Sequence, residues 1–194
     1  MTNNRKITTY SGLHVDPLHP KPGDFRIGDI AHALSLICRG NGHVKSFFSV
    51  GQHCIYCARE AEARGLSARV IIMALLHDAS ECYISDLPSP LKEGMVCYET
   101  IETRLLKTLF TDFLGSYPTE AEWNEVRKID KAYLWYDMHE LLEPIEGEKP
   151  DLHVIPDYTV RPFKEVEEEY LQIFRDWYPL IQPDTFAGIE ILTL

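Results

Sequence analysis

Positive charge is scarce in this sequence. Lysine and arginine total 19 against 30 aspartates and glutamates, a formal charge of −11. Such a surface repels phosphate backbones and anionic lipid headgroups, which argues against nucleic-acid and membrane-surface partners. Long apolar runs are missing as well. No stretch approaches the ~20 residues of a membrane span, and Met1-Thr2-Asn3-Asn4-Arg5-Lys6 leads into no signal-peptide core. The expectation is a soluble, cytoplasmic protein. Cysteines are few and odd in number (Cys38, Cys54, Cys57, Cys82, Cys97), which does not suit a disulfide framework. Cys54-x-x-Cys57 lacks both the preceding strand of a redox pair and the second pair of a zinc ribbon, so these cysteines read as small apolar helix residues. No repeat, low-complexity segment or linker interrupts the 194 residues, of which 45% are hydrophobic. That suffices for one domain, spanning 1–194, with a real core.

What is present is mostly helical patterning. Only the Pro- and Gly-rich start departs from it, with Lys6–Tyr10 and Phe25–Ile27 as two short strands of a hairpin-like lead-in. Asp29 is a candidate N-cap and Gly40 a stop for a first helix with the stripe Ile30, Ala33, Leu34 and Ile37. Ser49 caps a second helix reaching Gly65. Ser67 caps a third, whose Val70, Ile71, Ile72, Ala74, Leu75 and Leu76 are apolar nearly all round, as a central buried helix requires. Leu87-Pro88-Ser89-Pro90 reads as a turn, because prolines at this spacing break a helix. A fourth helix spans about Cys97–Leu114 and stops at Gly115. A Thr119-x-x-Glu122 capping box opens a fifth that lasts to about Glu143, and a last one covers about Phe163–Tyr178. The fold class is all-α.

Several ionisable residues interrupt these apolar patterns. His77 and Asp78 end the most hydrophobic helix, where a charged carboxylate costs several kcal/mol unless it is paired or binds a cation. His53 lies on the small apolar second helix. Asp130 lies on a stripe with Trp123, Val126, Tyr133, Leu134 and Leu141, all within about 60° of it at 100° per residue, and Asp137 shares that stripe. Each has an ordinary structural explanation when taken alone: a satisfied core histidine, a cap, an arginine partner. Two imidazoles and two carboxylates on three helices together make a ligand set for one divalent ion, with nitrogen and oxygen donors suited to Mn²⁺, Co²⁺, Fe²⁺, Ni²⁺ or Zn²⁺.

The order His53, His77-Asp78, Asp130 resembles the H…HD…D signature of HD-domain metal-dependent phosphohydrolases. The segments Ala74-Leu75-Leu76-His77-Asp78-Ala79-Ser80-Glu81 and Asp86-Leu87-Pro88-Ser89-Pro90-Leu91-Lys92 resemble the bacterial 5′-deoxynucleotidase branch. Ser49-Val50-Gly51-Gln52-His53 and Asp29-Ile30-Ala31-His32-Ala33-Leu34-Ser35 are more similar to phage and prophage-borne members. The resemblance implies an HD-type helical bundle with His53, His77, Asp78 and Asp130 as metal ligands. It makes Glu81 the catalytic glutamate, which a helix continuing past His77 would aim at the reacting water, and Asp86 a second catalytic acid. Arg39 and Lys92 would meet the substrate phosphate. His43 and His32 are near enough in sequence to join that pocket, and Asp137 would bind sugar hydroxyls or support a ligand. In the 5′-deoxynucleotidases an aromatic residue follows the arginine, whereas Gly40 follows Arg39 here, so the family's base preference does not carry over.

The function so implied is hydrolysis of (deoxy)nucleoside 5′-monophosphates, a small-molecule nucleotide being the partner. Other readings stay open: the same site acting on another phosphate ester, a regulatory protein with a structural metal, or an all-α binding module. Relatives of this kind are often dimers, and the apolar tail Phe186–Leu194 calls for a cover, so a homodimer is one expected assembly.

Overall fold

The computed structural model describes residues 6–181 and is mostly helical, with a short antiparallel hairpin at its start. The apolar tail considered above as a dimer surface lies outside the described residues. The hairpin pairs β1 (Ile7–Thr8) with β2 (His14–Val15). This corrects the expected partner segment: Phe25 is buried in the core and Ile27 opens a helix instead. Asp29 is likewise not the N-cap of that helix, α1 (Ile27–Leu36). It stands in the first turn, where a carboxylate favours the helix dipole. It accepts hydrogen bonds from Thr9 Oγ1 (2.7 Å), Ser11 N (2.6 Å) and Ser11 Oγ (2.8 Å), which tie the lead-in to the bundle.

Helix α1 ends four residues before Gly40. Ile37 turns extended, and residues 37–39 pair with 48–50 through Val50 N–H to Ile37 O (2.9 Å) and Arg39 N–H to Phe48 O (2.8 Å). Residues 39–42 then form a tight turn, with Gly40 (φ 58°) and Asn41 (φ 53°) both left-handed. This pairing, rather than a glycine stop, sets where Arg39 sits.

Helix α2 (Val50–Ala63) starts at a full capping box between Ser49 and Gln52, and α3 (Ala68–Leu76) starts at Ser67. Every residue of α3 from Val70 to Leu76 is buried, as its all-round apolarity dictates. Past Leu76 the helix breaks instead of continuing. Residues 77–80 make tight turns (Ala79 N–H to Leu76 O, Glu81 N–H to Asp78 O, both 3.0 Å), and Glu81 opens a separate one-turn helix α4 (Glu81–Ile84). The Pro-rich segment also differs from the expected open turn. It carries the one-turn helix α5 (Ser89–Lys92), whose first turn tolerates Pro90 because proline lacks only an N–H that would have no helix partner there. Helix α6 (Val96–Leu114) ends at left-handed Gly115 (φ 74°), and α7 (Glu120–Leu141) begins at the Thr119/Glu122 capping box.

Between α7 and α8 (Phe163–Trp177), residues 142–162 form a strap held down by tyrosyl hydroxyls. Tyr133 donates to Val154 O (2.8 Å) and Tyr136 to Pro150 O (3.1 Å). Tyr56 donates to Asp157 O (3.2 Å) and accepts from Asp157 N–H (2.8 Å). Buried Glu60 accepts the N–H groups of His153 and Val154, each at 2.9 Å. Helix α2 is central, packing on α1, α3, α7 and α8, so a side chain on it can meet groups from several directions. Among the described residues no helix is long and apolar enough to cross a membrane.

Candidate metal centre

Three helices deliver the ionisable residues to one place. His53 sits in the second turn of α2, His77 and Asp78 follow the end of α3, and Asp130 and Asp137 lie two turns apart on one face of α7. His53 Nε2 lies 3.1 Å from Asp130 Oδ1 and 3.9 Å from Asp78 Oδ2. His77 Nε2 lies 3.3 Å from Asp78 Oδ2 and 3.7 Å from Asp130 Oδ1. An ion with bonds of about 2.0–2.2 Å places neighbouring ligand atoms about 3–3.5 Å apart; the 3.1 and 3.3 Å spacings fall in that range, and the 3.7 and 3.9 Å spacings are wider.

The chemistry of the donors fits a cation as well. The Nδ1 of His77 is 2.7 Å from Ala74 O, and a carbonyl only accepts, so Nδ1 carries a proton and Nε2 is the ring nitrogen that faces the cluster. That Nε2 is buried and has no hydrogen-bond partner. The carboxylates of Asp78, Asp130 and Asp137 meet the two imidazoles and the Arg39 guanidinium here. Burial opposes charge on the imidazoles, and Arg39 opposes it further at His53. The surrounding groups, Cys57, Asp130 and Asp137 at His53 and Asp78, Cys54 and Asp130 at His77, nevertheless hold both pKa values well above the ordinary value. Burial works against ionisation of Asp130 too, but His53 and His77 hold its carboxyl well below the usual range.

The cluster is not sealed. Val126, Tyr133 and Leu141 on the α7 stripe are buried as expected, but Leu134 is 40% exposed and the Asp130 side chain 39%. Asp130 is therefore at the mouth of the site and not at the centre of a buried stripe, which gives a ligand access to it.

The supporting residues are placed as follows. Arg39 donates to Asp137 Oδ2 (3.0 Å) and reaches Asp78 Oδ2 (3.5 Å), and these acids raise its pKa against the effect of burial. Asp137, read as binding sugar hydroxyls or supporting a ligand, is engaged by protein groups. Its Oδ1 accepts from Tyr158 (2.8 Å), and its Oδ2 serves Arg39 and lies 3.2 Å from His53 Nδ1, off the line of a ring N–H bond. Glu81 is 3% exposed; Oε1 is 3.4 Å from Lys92 Nζ, and Oε2 is buried without a partner. Burial first, then the charges of Asp78 and Asp86, push its carboxyl well above the usual range. Lys92 also reaches Glu102 Oε1 (2.9 Å), so it bridges α5 to α6. Asp86 Oδ2 accepts the Gly40 N–H (2.8 Å), which anchors the turn carrying Arg39.

Two expected neighbours lie outside the cluster. His43 is exposed beyond the 39–42 turn. His32 stacks on Tyr10 (3.6 Å) and pairs with Glu167 (3.0 Å). Two cysteines belong that sequence reasoning set aside. Cys57 Sγ is 3.6 Å from His53 Nε2, and Cys54 shares a potential ligand group with His77 and Asp78. Their positions one and four residues after His53 were the available signal.

No known family profile matches the chain. It is similar to an uncharacterized protein YfdR of Escherichia coli, with 37% identity over 99 residues, 51% of this chain and 53% of that protein. It is also similar to an uncharacterized protein of Rhodobacter capsulatus, with 39% identity over 90 residues, 44% of this chain and 45% of that one. The chain thus spans about half the length of the curated relatives it matches.

Proposed function

We propose that this chain is a metal-dependent phosphomonoesterase of the HD type that hydrolyses (deoxy)nucleoside 5′-monophosphates to nucleoside and phosphate. The observation that carries the reading is the convergence of His53 Nε2, His77 Nε2, Asp78 Oδ2 and Asp130 Oδ1, with the His77 ring fixed from behind by Ala74 O. These four side chains would hold one divalent transition-metal ion. Such an ion supplies Lewis acidity toward a phosphoryl oxygen and makes water acidic enough to attack at neutral pH.

The protein's own groups do the rest. Arg39, fixed by Asp78 and Asp137, sets a permanent positive charge beside the cluster, where a phosphate dianion gains most from it. Glu81, its carboxyl pushed above the usual range by burial and by Asp78 and Asp86, serves as the proton donor to the 5′-oxygen as the P–O bond breaks, and the attacking water's proton restores it. Lys92, already beside Glu81, offers a second cation to the phosphate. Asp86 keeps the Arg39 turn in place through Gly40. With glycine at position 40, no aromatic residue follows Arg39, so the reading commits to the phosphate and not to a particular base.

Phosphate release from a panel of ribo- and deoxynucleoside 5′-monophosphates, with Mn²⁺ or Co²⁺ added, tests this. The expected result is metal-dependent turnover of 5′-monophosphates that Asp78→Ala abolishes. Turnover by Asp78→Ala in the absence of metal would overturn the mechanism.

A further inference from the structure

Helix α7 presents two carboxylates to the same imidazole. Asp130 lies 3.1 Å from Nε2 of His53, and Asp137 stands 3.2 Å from Nδ1 as a close charged neighbour, off the line of a ring N–H bond. In histidine–metal sites, the group at the second ring nitrogen sets the orientation and basicity of the ligating one. The plane of Asp137 therefore matters, and carboxylate torsions are broad and weakly restrained by themselves. Here both oxygens are held. Oδ2 has the Arg39 guanidinium, and Oδ1 has one hydroxyl, that of Tyr158, at 2.8 Å. Tyr158 belongs to no helix. It sits on the strap over residues 142–162, its ring 4.9 Å from that of Phe48.

We propose that Tyr158 is a positioning residue for the metal centre: its hydroxyl fixes the Asp137 carboxylate, which sets the His53 ring and the Arg39 guanidinium. The inference rests on the reading that His53 holds a metal, and it adds that the strap between α7 and α8 tunes that ligand. Without the hydroxyl, Asp137 Oδ1 is left in a buried place with no donor. The carboxylate then turns toward Arg39, and His53 loses its rear support.

Tyr56 provides the matched control. Its hydroxyl also holds the strap, at Asp157, but none of its bonds goes to Asp137. Co²⁺ is titrated into wild type, Tyr158→Phe and Tyr56→Phe, followed by calorimetry and by the visible d–d bands, whose intensity reports coordination geometry. The expected result is an affinity about 10–100-fold weaker in Tyr158→Phe with altered bands, and unchanged affinity and bands in Tyr56→Phe. Should Tyr158→Phe fail to fold, Asp137→Asn carries the same comparison and should weaken binding likewise. Equal losses in both tyrosine variants, or an unchanged affinity in Tyr158→Phe, overturn the proposal. Absence of Co²⁺ binding in the wild type instead overturns the metal-centre reading on which it rests.

Discussion

His53 Nε2 and Asp130 Oδ1 lie 3.1 Å apart although 77 positions separate them in the chain. One is fully buried on α2; the other is partly open to solvent on α7. That relationship joins a buried imidazole to a carboxylate that solvent reaches.

A ligand that binds only the folded state stabilises it in proportion to the logarithm of its concentration. Mn²⁺ or Co²⁺ at a hundred times its dissociation constant should stabilise the wild type by about 2.7 kcal/mol. The same addition should leave Asp78→Asn unshifted in a thermal melt. An equal shift in the variant would place the ion elsewhere.

Glu81→Gln keeps the shape of the side chain and removes its proton transfer. General acid–base groups contribute about 10²–10⁴-fold, so kcat should fall by that factor while metal affinity holds. Steady-state kinetics alongside metal titration checks this, and unaltered kcat would remove Glu81 from the mechanism.

Glu60 tests the strap. Burial resists its charge, but the Arg64 guanidinium, the Val154 N–H and the His153 ring hold its carboxyl below the ordinary 4.5. Because the folded value is depressed, the stabilisation is fully present above about pH 4.5 and is lost as pH falls through the folded value. Glu60→Gln should cost about 1.5–3 kcal/mol at neutral pH. In urea titrations below pH 4.5 the variant and the wild type should draw together, and a constant gap across pH would contradict this assignment.

Gly51 marks the close approach of α2 to α1. A Cβ there would stand 3.2 Å from the backbone of Leu34 and Ser35, atoms that cannot swing aside. Gly51→Ala should destabilise the fold by about 1–3 kcal/mol through overpacking, read as a lowered urea midpoint. A neutral or stabilising effect would show that the two helices separate freely.

Much of the helical framework was legible because its signals are local. Ser49 with Gln52, Thr119 with Glu122, and Gly115 mark helix ends through bonds or torsions within a few residues. The lead-in was not legible, since its register depends on Asp29 reaching back to Thr9 and Ser11, a tertiary contact. The end of α3 at His77-Asp78 was legible, but the separate helix α4 was not: a helix continuing to Glu81 was expected, and only the turn bonds at Ala79 and Glu81 break it. In the site, spacing and resemblance named the imidazoles and acids that come together. They could not show that Asp137 faces the rear of His53, or that Cys54 and Cys57 line the same cluster, because both depend on how α2 meets α7 and α3.

The most direct measurement is metal content by mass spectrometry after equilibrium dialysis against Mn²⁺ or Co²⁺, comparing the wild type with Asp130→Ala. One ion per wild-type chain, lost in the variant while circular dichroism stays helical, is the predicted result. A wild type that retains no ion, or an Asp130→Ala protein that keeps a full equivalent, would contradict the account.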